Sequence, residues 1–346
     1  MSRCESTHGS GRANGVADCA ADAWPTFLTG CRMSVVTAAD IVAAYRFILG
    51  RSPEASIDLD VTSKEFESVD ELRATTLASA EARASLYDSV VASLGAVWIR
   101  RTTYFGRQIH LCLSDTAVSK TILLTNDWEP HIGRTVRSLL TRGDIFVDVG
   151  ANIGWFSLLA GDHLVRSGGG RVVAIEANPS LAPRLAASVV DSGLDHIVEI
   201  KPYAVSNAVG LVQVSASDEG NIGGLNIGPV IEGGQRRNIV PCVPLDDLLG
   251  DLPRCDLVKF DIEGAELLAL KGFSRTLQRM HPKVIMEING TALDWVSRGT
   301  VEELVGHMQS FGYNAYMAEG EERNEVGLDE IKRLVTQHGY WDFLFA

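Results

Sequence analysis

The period of the apolar positions changes several times along the chain, and each change marks an element. Thr37-Ala-Ala-Asp-Ile-Val-Ala-Ala-Tyr-Arg-Phe-Ile-Leu-Gly sets Ile41, Ala44, Tyr45 and Ile48 at helical spacing behind a capping Thr37 and stops at Gly50 and Pro53. Helical spacing continues from Ser63 to Ala74 and from Leu77 to Leu94. Between Ala96 and Leu124 the period falls to two, in Val97-Trp-Ile-Arg-Arg-Thr-Thr-Tyr and in Gln108-Ile-His-Leu-Cys-Leu, which predicts a strand-rich stretch with a β-hairpin. Asp127 to Leu140 returns to a helix. Met1 to about Met33 has no period and is rich in Gly, Ala, Ser and Asp, so disorder is expected there.

Beyond Asp144 short apolar runs alternate with helical patterns. Strands are predicted at Ile145–Val149, Val172–Ile175, Val198–Pro202, Leu257–Asp261 and Val284–Ile288, with two more near Asn314–Met317 and Asp342–Phe345. Helical patterns lie between them at Trp155–Val165, Ser180–Ser192, Ala265–Gly272 and Val301–Phe311. Such alternation implies an α/β fold, a parallel sheet covered on both faces. Val212 to Val243 departs from it and reads as a β-rich insertion, whose turn Gly220-Asn-Ile-Gly-Gly224 is either a lid over a site or an ordinary exposed hairpin. The organisation predicted is a disordered 1–34, a helical module over 35–95, a β-rich linker over 96–126 and an α/β domain over 127–346, its core motifs within 144–289.

The first chemistry appears where the strand Ile145 to Val149 breaks into Gly150-Ala-Asn152-Ile-Gly154 and a helix begins near Trp155. Gly150 permits a tight turn and close backbone approach to a ligand, and Gly154 lets the helix pack against the strand. The next strand ends in Glu176, at the position where an acid accepts both hydroxyls of a ribose. The spacing Asp-x-Gly-x-Asn-x-Gly is not the Gly-x-Gly-x-x-Gly that cradles a pyrophosphate, and no Lys-Ser or Lys-Thr follows to make a P-loop. A nucleoside with an amino-acid tail and no phosphate fits, and S-adenosylmethionine is one.

A third segment, Lys259-Phe-Asp261-Ile-Glu263-Gly264-Ala-Glu266, completes an ordered set with Asp148-Val-Gly-Ala-Asn-Ile-Gly, Glu176-Ala-Asn-Pro and Pro244-Leu-Asp-Asp-Leu. In this order the motifs, with Trp128-Glu129-Pro130 upstream, resemble an FkbM-type methyltransferase over about Asp127 to Asn289. The family more often has Ile-Asp-Val-Glu-Gly where this chain has Phe-Asp-Ile-Glu-Gly. The resemblance implies a class I, Rossmann-like, seven-stranded sheet whose last strand is antiparallel. It also implies S-adenosylmethionine as cofactor and a hydroxyl oxygen as the usual methyl acceptor. The run Tyr45-Arg-x-Ile-Leu-Gly-Arg-x-Pro separately resembles a small helical module attached to bacterial proteins of surface-glycan assembly.

On that fold each cofactor contact has an expected residue. Gly150, Ala151 and Asn152 line the amino-acid tail, with Gly154 behind them, and Asp148 orients the loop or meets the ammonium. Glu176 takes the ribose hydroxyls, Ala177 and Asn178 border the adenine, and Ala204 to Ser206 close the adenine side. Glu129 is expected to reach the site from the preceding helix. Methyl transfer is an in-line displacement that needs positioning above all. A hydroxyl acceptor must also lose a proton, for which Asp261, Glu263, Glu287 and His131 are the candidate bases. Alternation sends Asp261 and Glu263 to one face with Lys259 a step behind, where its charge keeps an acid ionised. Two acids do not complete a metal site, so none is predicted.

Composition narrows the partners. The chain has 346 residues, 46% apolar, enough for one large domain plus an appendage. A net charge of −13 argues against nucleic acid, since phosphate contacts need clustered Lys and Arg. The six cysteines show neither Cys-x-x-Cys nor zinc spacing. No apolar run reaches the roughly 18 residues of a membrane span, and the first residues lack a signal core. A reduced, cytoplasmic enzyme is expected, acting on a hydroxyl of a sugar, glycolipid, polyketide or peptide product, with a homodimer left open. The competing readings are N-methylation on the same fold, a nicotinamide-dependent reductase and a non-catalytic scaffold.

Overall fold

The computed structural model describes residues 36–49, 51–84, 87, 96–216, 221–228, 238–318 and 324–346. The expected disorder of 1–34, the end of the Leu77–Leu94 pattern and Gly220 lie outside the described residues. The chain divides into two compact units between Ala82 and Arg83.

In the first unit, helix α1 (Ala38–Ile48) starts at Thr37, whose hydroxyl accepts from the Asp40 amide while the Asp40 carboxylate accepts from the Thr37 amide. Short α2 (Leu59–Thr62) and α3 (Val69–Ala78) pack on it around Val36, Ile41, Ala44 and Leu72. The helix expected over Ser63–Ala74 begins late. Ser68 accepts from the Glu71 amide at 3.1 Å, and this cap outweighs the apolar period before it.

The second unit opens with the predicted hairpin, β1 (Trp98–Thr102) and β2 (Gln108–Cys112), paired antiparallel. The strand-rich reading fails after it, because Val118–Thr125 is a helix, α4. Asp115 accepts from the amides of Ala117 and Ser119 and starts a turn that the β-branched residues then follow. Helix α5 (Pro130–Leu139) has Pro130 in its first turn, so it begins three residues later than the pattern suggested.

The core is a seven-stranded sheet. Its strands are β3 (Ile145–Val149), β4 (Arg171–Ile175), β5 (Val198–Lys201), then β10 (Leu257–Phe260), β11 (Lys283–Asn289), β12 (Ala315–Met317) and β13 (Tyr340–Phe345), in the spatial order β12-β13-β11-β10-β3-β4-β5. β13 alone runs antiparallel to its neighbours. That order, with its switch point between β3 and β10, is the class I methyltransferase sheet. Between β5 and β10 the insertion forms a separate sheet of β6 (Ala204–Val205), β7 (Gly210–Ala216), β8 (Leu225–Gly228) and β9 (Ile239–Val243), order β6-β9-β7-β8.

Helices cover both faces. α6 (Trp155–Ser167) and α7 (Ala182–Asp191) lie with α4 and α5 against the side bearing Phe146, Leu257 and Ile285. On the other side Val147, Val258, Met286 and Phe343 meet α8 (Leu245–Leu248), α9 (Glu266–Lys271), α10 (Ser274–Met280), α11 (Gly290–Ser297), α12 (Val301–Ser310) and α13 (Leu328–His338). Four of these, α8, α10, α11 and α13, were not anticipated. The Pro244-Leu-Asp-Asp-Leu motif explains one of them: Asp246 accepts from the amides of Arg275 and Thr276 and from the Thr276 hydroxyl, capping α10.

Candidate active site

The ends of β3, β4 and β10, each carrying a motif, open on one cavity of about 590 Å³ at the carboxyl edge of the sheet. Gly150 follows β3 at φ +86°, and its amide and that of Ala151 both donate to the Ile175 carbonyl at 3.0 Å. A methyl group on Gly150 would overlap the Asp261 carbonyl, so the turn after β3 and the end of β10 touch through this glycine. Asn152 is also left-handed, and its amide donates to Glu176 Oε2 at 2.6 Å. Asn178 donates to Glu176 Oε1 at 2.7 Å. Glu176 is thus held rigidly at the end of β4, and burial raises its carboxyl to about 7.

The cavity wall includes Glu129, Gly150, Ala151, Asn152, Glu176, Ala177, Ala204, Lys259, Asp261, Glu263 and Glu287. Asp148, Gly154, Asn178, Ser206 and His131 do not line it. Asp148 is buried beneath the turn, where Ser157 Oγ donates to its Oδ2 at 2.6 Å and its Oδ1 has no partner. Asn178 reaches the cavity indirectly: its Nδ2 donates to the Ile222 carbonyl at 3.0 Å and ties the insertion over the site. Asn221, Gly223, Gly224 and Ile227 of that insertion face the cavity, which is the lid position of the two alternatives.

Sheet register assembles the charged wall. Lys259 stands beside Asp148 across the β3/β10 pair, and its ammonium donates to Asp261 Oδ2 at 2.8 Å beneath the Phe156 ring. Burial alone would lower Lys259, but Asp261, Glu129 and Asp148 together hold it above its ordinary value. Glu287 and Asp342 are directly opposed across the β11/β13 pair. Burial and the carboxylates of Asp261, Asp342 and Glu129 push Glu287 up to about 10. Glu129 precedes α5 with φ +42° and is raised to about 8 by burial, an effect that Lys259 opposes.

Two expectations change here. β10 ends at Phe260 and Glu263 lies in the following turn at φ +52°, so alternation does not carry Glu263 onto the face of Asp261. His131 sits off the cavity, and its Nε2 meets Asp342 at 3.3 Å. Four residues of this constellation had no site role in the sequence reading. Asp342 becomes visible only through the antiparallel pairing of β13. Glu266 is buried and accepts from the Ile262 and Gly264 amides, fixing the turn that carries Glu263. Trp295 and Tyr340 are exposed aromatics on the wall; Tyr340 pairs with Asn289, which caps the helix bearing Trp295. Among the described residues no group of three or more His, Cys, Asp or Glu is arranged to hold a metal, and no helix is long and apolar enough to cross a membrane.

The family model described as the methyltransferase FkbM domain matches residues 148–315. No curated protein sequence matches. Among solved structures, the chain is similar to methyltransferase FkbM from Methylobacillus flagellatus KT, with 19% identity, a TM-score of 0.41 and 76% of this chain aligned to 59% of that one. It is also similar to an O-methyltransferase from Bacillus cereus in complex with SAH, at 14% identity and TM-score 0.36, covering 80% of this chain and 95% of that one. A third is the O-methyltransferase TomG from Streptomyces achromogenes, in complex with SAM, at 16% identity and TM-score 0.35, covering 63% and 79%.

Proposed function

We propose that this chain, whose residues 148–315 match the methyltransferase FkbM domain, is an S-adenosylmethionine-dependent methyltransferase that methylates a hydroxyl oxygen of a small-molecule or glycan acceptor. Three observations fit the cofactor to these residues. The Gly150 backbone lines the cavity, and the lack of a side chain there lets the Asp261 carbonyl pack against the turn. Glu176 keeps free lone pairs on both oxygens after taking two amides, enough for a pair of ribose hydroxyls. Asp148 Oδ1 is buried without a partner directly under the turn. Ala177, Ala204 and the insertion then border the adenine, while Gly150, Ala151 and Asn152 follow the amino-acid tail.

When bound, the cofactor supplies an electrophilic methyl group on a sulfonium. The chain supplies alignment and a proton acceptor, and the observation that carries the O-transfer reading is the carboxylate wall formed by Glu129, Asp261 and Glu287. An attacking hydroxyl must lose its proton, whereas an amine can do so after attack. Asp261 is already paired with Lys259, which fixes its carboxylate to orient the acceptor. Glu287 takes the proton: it lines the cavity, and no lysine or arginine pairs with it among the described residues. A positive charge beside it draws its raised carboxyl back toward neutrality, where a base works best.

Calorimetry with S-adenosylmethionine and S-adenosylhomocysteine tests the cofactor site. Binding is expected in the wild type and lost in Glu176→Ala and Gly150→Arg. Hydroxylated and amine acceptors are then screened by mass for added methyl. Glu287→Gln is expected to slow O-transfer by roughly 10²–10⁴-fold. Methylation of amines alone, at a rate indifferent to Glu287→Gln, would sink the hydroxyl reading.

A further inference from the structure

We propose that Glu129, Asp261 and Glu287 make this cavity select the cationic cofactor over its neutral product, holding S-adenosylmethionine more tightly than S-adenosylhomocysteine. The inference rests on the cofactor reading above and adds to it a source of discrimination in the chain's own charges.

The wall is short of positive charge. Among the described residues that line the cavity, Lys259 is the one cation, against Glu129, Glu176, Asp261, Glu263 and Glu287. That cation is committed to Asp261 at 2.8 Å. Glu287 is faced by Asp261 from β10, Asp342 and Tyr340 from β13, Glu129 from the start of α5, and Lys259. Glu129 is faced by Lys259, Asp261, Asp342 and His131. Opposed carboxylates on paired strands repel, and Glu287 and Asp342 are such a pair. With Glu176 holding the ribose at the end of β4, a sulfonium in the same cavity would be met by the acids at the ends of β10 and β11.

A sulfonium beside the wall supplies the missing charge; a thioether supplies none. Without it, Glu287 and Glu129 retain protons at neutral pH, because burial and their like-charged neighbours raise both carboxyls. A bound cation favours their ionised forms, so protons pass to the buffer as the complex forms. Fewer protons in the complex than in the free protein means that affinity for a cationic ligand rises as pH rises, over about pH 7 to 10. The neutral product gains little from the same change. Turnover then benefits, since methyl transfer removes the charge that retained the ligand.

Calorimetry with three probes tests this: S-adenosylmethionine, S-adenosylhomocysteine, and sinefungin, which has a carbon for the sulfur and an ammonium in place of the transferred methyl. Titrations at pH 7 and pH 9, in buffers of different ionisation enthalpy, also count the protons released. The two cations are expected to bind about tenfold more tightly than the neutral product, with proton release for them alone. Glu287→Gln and Glu129→Gln are expected to bring that ratio toward one while affinity for S-adenosylhomocysteine holds, which also reports a folded cavity. Equal or tighter binding of S-adenosylhomocysteine, or a ratio unmoved in both variants, overturns the proposal. If the wild type binds none of the three, the cofactor reading itself falls. Gly150→Arg, expected to lose all three alike, separates loss of the cavity from loss of discrimination.

Discussion

Lys259 ties several parts of the site together. It is buried, pairs with Asp261, stands beside Asp148 in register and lies under the Phe156 ring. Replacing one partner of a buried ion pair leaves the other charge without compensation, which costs about 3–5 kcal/mol. Lys259→Met is therefore expected to destabilise the protein by that amount in urea unfolding, and a loss under about 1 kcal/mol would show that the acids relax without it. The residue also shows how far sequence reasoning reaches. Its spacing of two from Asp261 predicted a shared face, and the 2.8 Å contact follows from that alternation. The same argument failed for Glu263 because the ladder to β3 runs on only to Asp261, whose amide donates to Val149, and the backbone at Glu263 is left-handed.

The turn between β3 and α6 is the element on which the cavity depends. Gly150 and Gly154 both have positive φ, but what each touches differs. A methyl on Gly150 meets backbone, the Asp261 carbonyl, while a methyl on Gly154 meets the end of the Leu185 side chain, which can rotate away. Gly150→Ala is expected to cost well over ~1 kcal/mol and abolish cofactor binding, with Gly154→Ala milder on both counts. Equal melting temperatures and cofactor affinities for the two variants would contradict the contact with β10. The turn was readable because glycine spacing is a local signal. Helices α4, α10, α11 and α13 were not, since caps and packing decide them: Asp115 and Asp246 act through amides two or more residues away, some of them far along the chain.

Across the molecule, carboxyls with raised values concentrate at one edge of the sheet: Glu176 and Glu266 at about 7, Glu129 at about 8 and Glu287 at about 10. Each stays protonated in the folded state at pH values where the unfolded chain has already released its proton. The stability so gained is complete below about pH 4.5 and is lost as pH rises through 7 to 10. The free protein is thus expected to melt at a lower temperature at pH 9 than at pH 6. Glu287→Gln should flatten that dependence, and melting curves across the range check both. A wild-type curve flat over the interval would mean that these carboxyls ionise freely.

The sequence by itself determined the alternation of strands and helices, the glycine turn, the acid after β4 and the Lys259–Asp261 pair. All of these are written in residues within a few positions of one another, where backbone period and local sterics suffice. Only the tertiary structure decided that Glu287 faces Asp342, that Glu129 and Asp261 share a wall with Glu287, and that the insertion reaches the cavity. Those juxtapositions depend on which strands pair and in which direction. Strand order and register are fixed by burial of both faces of the whole sheet, which no single segment of the chain encodes.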